Sequence, residues 1–163
     1  GFILKNSERI AKMWHAYYEK RVSKTRTRAN ARFTLEALAK NNTRTLIFSN
    51  HTVAGIRLQL KRLKIENYFE TVIANDKLDA AIKARGKKQK LEGYIKAQGV
   101  NPQEVLVVGD TTEEIEIAGD FGGISVAITH GYDSTPRLKK AGPDYLINDL
   151  KELIPIIQNL NGQ

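Results

Sequence analysis

Apolar residues recur along this chain in two rhythms. Short, mostly apolar β-rich runs over residues 45–48, 71–74, 105–108, 124–128 and 145–147 suit strands buried on both faces. Between them the apolar spacing lengthens to three and four, the period of helices. Ile10, Met13, Trp14, Tyr17 and Val22 predict one face of a helix starting at Asn6 or Ser7 and ending near Val22. Further helices are expected over 33–40, ended by Asn41-Asn42, and along Val53, Ile56, Leu60 and Leu63. Others follow over 77–84, broken by Gly86, and through Leu91, Tyr94, Ile95 and Ala97, closed by Gly99 with Pro102 just beyond. The last three are expected after Asp110, over 136–141 and over 150–160. Strands alternating with helices predict an α/β fold: a doubly wound, mostly parallel sheet with helices on both faces. Trp14, Tyr17 and Tyr18 are read as core or lid packing rather than surfaces for stacking bases.

Three of the five runs end in residues able to do chemistry: Ser49-Asn50, Asp110 and Thr129-His130. Carboxyl ends of strands are where open α/β sheets bind ligands. Ser49, with the backbone amides beside it, can form a small anion site, or it can simply cap the next helix. Asp110 and Glu114 stand four apart across a helix start that Thr111 or Thr112 can cap. Two hard oxygen donors there suit Mg²⁺ held partly by water and phosphate; the alternative is that the acids only complement the helix dipole. Lys87 or Lys88, after Gly86, can reach a phosphate as a point charge, although lysines in a charge run are commonly solvated. His51 and His130 can touch a leaving group or stand as exposed loop histidines.

Composition narrows the classes. With 163 residues there is chain enough for one domain with a real core, and no apolar run approaches membrane-spanning length. The absence of Cys excludes a disulfide framework, thiolate metal sites and a cysteine nucleophile, and fits a cytoplasmic protein. A net charge of +8 predicts attraction to anions. The basic stretch 20–32 is a phosphate-attracting surface or a solvated loop. No base-reading motif accompanies it, so nucleic acid is not an expected partner.

In order along the chain, these sites resemble the haloacid dehalogenase-like hydrolases, mostly Mg²⁺-dependent phosphatases. TLIFSN resembles the family's second motif, and GKKQKLEGYIKAQGVNPQEVLVVGDTTEE its third and fourth. The phrases KIENYFETVIAND and AGPDYLINDLKELIP are similar to members too, so the likeness runs over about 43–157. The resemblance implies that Ser49 and the Asn50 backbone hold the substrate phosphate. It implies that Lys87, favoured over Lys88 by its spacing to Leu91, neutralises charge, and that Asp110 binds Mg²⁺. Glu114 stands where many members carry a second Asp, as a direct or water-mediated ligand. The partner implied is a phosphorylated small molecule, with homo-oligomers left open.

One departure matters. The family's first motif, Asp-x-Asp, carries the nucleophile and the general acid/base, and it occurs nowhere in this sequence. Gly1-Phe2-Ile3-Leu4 resembles the tail that follows it, so the motif and its strand are expected just upstream of Gly1. Residues 5–42 are expected as a helical segment in place of a full cap on a single core domain. A relative of the same fold that has lost its nucleophile, and binds phosphate or a partner without catalysis, is the alternative.

Overall fold

β-branched and aliphatic residues dominate the short runs, and each is bounded by a polar turn, so the runs form strands and the amphipathic stretches between them form helices. The structure is a computed structural model that describes residues 13, 16–17, 21–22, 24–76 and 86–162. In chain order the elements are α1 (Ala31–Lys40), β1 (Leu46–Thr52), α2 (Val53–Arg62), β2 (Thr71–Asn75), α3 (Lys87–Gln98) and β3 (Leu106–Gly109). They continue with α4 (Thr112–Phe121), β4 (Ile124–Ile128), α5 (Thr135–Ala141), β5 (Tyr145–Ile147) and α6 (Leu153–Leu160). Short 3₁₀ turns occupy Glu66–Tyr68, Pro102–Glu104 and Leu150–Glu152. The described residues fall into two units, one within Gly1–Thr27 and Arg44–Lys87, the other within Arg28–Thr43 and Lys88–Gln163.

In the first unit β1 and β2 pair in parallel, with Leu46 opposite Thr71 and Phe48 opposite Ile73. α2 packs on both strands and buries Leu60. Its start is fixed by Thr52, whose hydroxyl accepts from Gly55 N at 3.2 Å. The chain before it departs from expectation. Positions 13, 16, 17, 21 and 22 are helical, yet Met13 is 64% and Tyr17 56% exposed while Val22 is buried. Val22 lies five residues beyond Tyr17, roughly 140° around a helix, so the two cannot share a face. Trp14, Tyr18 and the expected 77–84 helix lie outside the described residues.

In the second unit β3, β4 and β5 form a parallel sheet in that order. Alternation along β4 sends Val126 and Ile128 to one face and Ala127 to the other. The first pair packs with Ile147 of β5 and Leu153 of α6. Ala127 packs with Ile115 of α4 and Leu138 of α5. Helices therefore cover both faces of this sheet, as the near-continuous apolar runs require. Burying a side chain such as Leu138, which has no exposed surface, contributes about 2 kcal/mol. Ser125 donates its N–H and hydroxyl to Asp144 at 2.7 and 2.6 Å, locking β4 to the loop before β5. These bonds hold the Asp144 carboxyl below the usual aspartate range. No described helix is long and apolar enough to cross a membrane.

Candidate active site at the strand ends

The first unit carries Ser49, Asn50 and Lys87. β1 does not stop at Ser49 as the apolar run suggested; it continues to Thr52 through a bulge between Phe48 and Thr52. Ser49, Asn50 and His51 there face a single residue of β2, which bends the strand and frees backbone groups from the ladder. Ser49 Oγ accepts from His51 N at 3.1 Å, and Thr52 rather than Ser49 caps α2. The Asn50 carbonyl accepts from Asn75 Nδ2 at 2.7 Å, so β2 holds the bulge in place. His51 is half-buried in this bulge rather than in an exposed loop. Lys87 opens α3 directly after Gly86, whose φ of 132° few other residues adopt. Its Nζ stands 4.7 Å from the centre of the Phe48 ring, within cation–π range.

Lys88 has different surroundings. Its ammonium meets Asp120 at 2.6 Å and Glu92 at 3.7 Å within the second unit, and Asp120 foremost raises its pKa. Neighbouring lysines on one helix turn thus point to different partners.

In the second unit Asp110 follows β3. Its Oδ2 accepts from Arg28 Nη2 at 3.1 Å and from Tyr132 N at 3.3 Å. Its backbone carbonyl accepts from Asp133 N at 3.0 Å. Arg28 Nη1 reaches the Thr129 carbonyl at 3.0 Å, so one guanidinium spans the ends of β3 and β4. Gly131 lies directly under the carboxylate: a Cβ there would overlap Asp110 Oδ2. His130, just before it, is exposed with φ 59°, a conformation costly outside glycine. Glu114 lies on the first turn of α4, where its Oε2 accepts from Thr111 N at 3.1 Å and from the Thr111 hydroxyl. Thr111 accepts in return from Glu113 N at 3.2 Å, completing a capping box. Gly109 leaves the room, since a Cβ there would strike the Glu114 side chain.

Sequence reasoning missed three members of this edge. Arg28 sits inside a basic stretch with nothing to separate it from its neighbours. Asp133, 7% exposed, accepts from Thr112 N at 2.9 Å and caps α4 from outside. Gly131 shows its purpose only once Asp110 is placed. A signal for the last two was present in the Gly-Tyr-Asp that closes the β4 turn, a backbone-demanding residue beside an acid.

The capping role makes one prediction. Glu114→Ala should cost about 1 kcal/mol in urea unfolding, while Glu114→Gln, able to close the same box, should stay within about 0.5 kcal/mol of wild type. Equal losses in both variants would mean that the carboxylate charge, not the cap, stabilises α4.

Parallel strands covered by helices, with a carboxylate at the carboxyl end of β3, define a doubly wound α/β domain of the kind that works at its strand ends. The chain belongs to the haloacid dehalogenase-like hydrolases: the model of that family matches residues 2–128. It is similar to a phosphoglycolate phosphatase of Pseudomonas putida, 28% identical over 124 residues that cover 76% of this chain and 44% of the relative. It is also similar to the pyrophosphatase PpaX of Bacillus mycoides, 23% identical over 79% of this chain and 59% of that protein. The chain thus spans about half the length of the curated relatives it matches. Among solved structures, a haloacid dehalogenase-like family hydrolase from Streptococcus pneumoniae superposes with a TM-score of 0.81, at 18% identity, covering 96% of this chain and 73% of that one. A HAD phosphatase from Thermococcus onnurineus gives 0.68 at 25% identity, covering 88% and 64%.

Proposed function

We propose that this chain is the core of a Mg²⁺-dependent phosphatase that hydrolyses phosphoric monoesters of small molecules through an aspartyl-phosphate. The nucleophile is the first acid of an Asp-x-Asp pair upstream of Gly1. The observation that carries the reading is Asp110: a carboxylate at the end of β3, seated on Gly131, with its Oδ2 already turned to a cation, Arg28. Family membership and the phosphatase relatives support it.

The donor set fits Mg²⁺ in part. Asp110 supplies one hard oxygen, in a place that already accommodates positive charge between two strand ends. Among the described residues there is no group of three acidic, His or Cys side chains able to hold a metal alone. The remaining donors are water, the substrate phosphate and the upstream acid, as suits an ion that keeps much of its hydration. When bound, Mg²⁺ supplies positive charge for the transferring phosphoryl group. Glu114, committed to its capping box, acts through water.

In this reading Ser49 and the Asn50 amide hold phosphate oxygens at the β1 bulge, where backbone groups leave the ladder. Lys87, stacked on Phe48, neutralises charge on the phosphate and the nucleophile. The upstream carboxylate attacks phosphorus, the ester P–O bond breaks, and the second acid of the pair gives its proton to the leaving alcohol. Water then releases inorganic phosphate and restores the carboxylate. Positioning and charge stabilisation supply most of such a rate.

The lysines test this reading. In a protein extended upstream through its native Asp-x-Asp, Lys87→Ala should lower kcat toward an aryl phosphate by about 10²- to 10³-fold. Lys88→Ala, which loses only exposed pairs with Asp120 and Glu92, should stay within about twofold. A loss confined to the Lys88 variant would shift the assignment by one residue; no loss in either would end it. A second reading, a relative that binds phosphate without catalysis, shares the absence of Asp-x-Asp from these 163 residues, and the acids carried upstream of Gly1 decide between the two.

A further inference from the structure

Charge is distributed unevenly along the chain. Residues 1–64 carry fifteen Lys and Arg against three Asp and Glu, whereas residues 65–163 carry eleven against fifteen. A basic protein of even composition would not show this step. The first unit turns the excess into a surface. α2 contains no acid, and Arg57 and Lys61 lie exposed on one side of it. Arg62 points elsewhere: one of its nitrogens reaches the carbonyls of Val22 and Thr25 at 3.2 and 2.7 Å and the Thr25 hydroxyl at 3.1 Å. That staple ties the turn carrying Lys24 and Arg26, both exposed, to the end of α2.

Lys24, Arg26, Arg57 and Lys61 make no ion pair among the described residues, in contrast to Arg44 with Glu70 and Lys88 with Asp120. Among the described residues these four cations have no acidic partner; held on two stapled segments they repel one another, and a polyanion relieves that repulsion. On the same N-terminal segment Tyr17 is 56% exposed, with the Arg21 guanidinium 4.2 Å from its ring centre. An aromatic face beside a cation is a platform for a base.

We infer that these stapled segments of the first unit together bind the backbone of a single-stranded nucleic acid that passes over them, with Lys24, Arg26, Arg57 and Lys61 on phosphates and the Tyr17–Arg21 pair on a base. A lipid surface suits it less. The apolar side of α2 is turned inward on Leu60, and Leu58 is the large apolar residue that α2 leaves exposed, too little for an interfacial helix. The inference is independent of the catalytic reading, since none of these residues belongs to the proposed site.

The test is fluorescence anisotropy of a labelled mixed-sequence RNA of about 20 nucleotides with purified Gly1–Gln163. Binding is expected in the range of about 10⁻⁴ to 10⁻⁶ M at moderate salt, falling steeply as salt rises. Lys24→Glu with Arg26→Glu, and separately Arg57→Glu with Lys61→Glu, should each weaken binding at least about tenfold. Each should also reduce the log–log salt slope by about 1.4, the value for two phosphate contacts on a single strand. Tyr17→Ala should weaken binding by at least about fivefold without changing that slope. Lys139→Glu with Lys140→Glu, on α5 of the other unit, is the charge-matched control and should stay within about twofold. The inference is overturned by an absence of binding at low salt, by equal losses in the control, or by capture on phosphatidylglycerol vesicles without RNA binding. Circular dichroism of each variant separates lost contacts from lost folding, and Tyr17→Ala tests the face without altering its net charge.

Discussion

Purified Gly1–Gln163 will show no Mg²⁺-dependent turnover of an aryl phosphate, and the same chain extended upstream through a native Asp-x-Asp will. Ser49, Lys87 and Asp110 are suited to hold and polarise a phosphate ester, but nothing among them is a carboxylate with the task of attacking phosphorus. Removing an attacking group eliminates the covalent route even when every supporting residue remains. In the extended protein, changing the first acid of the pair to Asn should lower activity by on the order of 10⁴-fold or more. Robust turnover by Gly1–Gln163 would sink the proposal and require another nucleophile. An upstream sequence lacking both acids would favour the non-catalytic relative.

Two substitutions at one carboxylate should move Mg²⁺ affinity in opposite directions. Asp110→Asn replaces a charged oxygen with an amide and should weaken Mg²⁺ binding to the extended protein at least about 100-fold by calorimetry. Arg28→Gln removes a positive charge 3.1 Å from the same oxygen. Because that pair is partly exposed, its attraction is screened, and the variant should bind Mg²⁺ only about three- to tenfold more tightly. Calorimetry reads both effects without a catalytic assay. Unchanged affinity in Asp110→Asn rejects the metal assignment itself. A normal loss there with unchanged affinity in Arg28→Gln rejects only the competition between guanidinium and metal.

The sheet was largely legible in the sequence because its strands are buried on both sides. β4 and β5 match their apolar runs, and β3 is displaced by one residue because Val105 closes the preceding 3₁₀ turn. The start of α4 was legible too, but with Thr111 and Thr112 both open as caps; the structure gives the role to Thr111, in a capping box with Glu114. What escaped depends on direction rather than pattern. β1 passes its apolar run because a bulge lets polar residues continue a strand that periodicity would end. Met13 and Tyr17 have helical spacing, but spacing does not say which face turns inward. Arg28 is one of several arginines in its stretch, and only the fold returns it to a carboxylate 82 positions away. Such tertiary pairings leave no local trace in composition or period.

Gly131 ties two distant positions into one unit of inheritance. The Asp110 carboxylate rests where a side chain at 131 would begin, so the residues cannot drift separately. A lineage that acquires alanine or anything larger at 131 must move or shorten residue 110, and loses the proposed ligand in doing so. The reverse order is open: once the acid at 110 has gone, the constraint on 131 is released and the position can fill. Under this epistasis the pair retains a history of its own, in which a bulky residue at 131 marks descent through a form that had already given up the carboxylate.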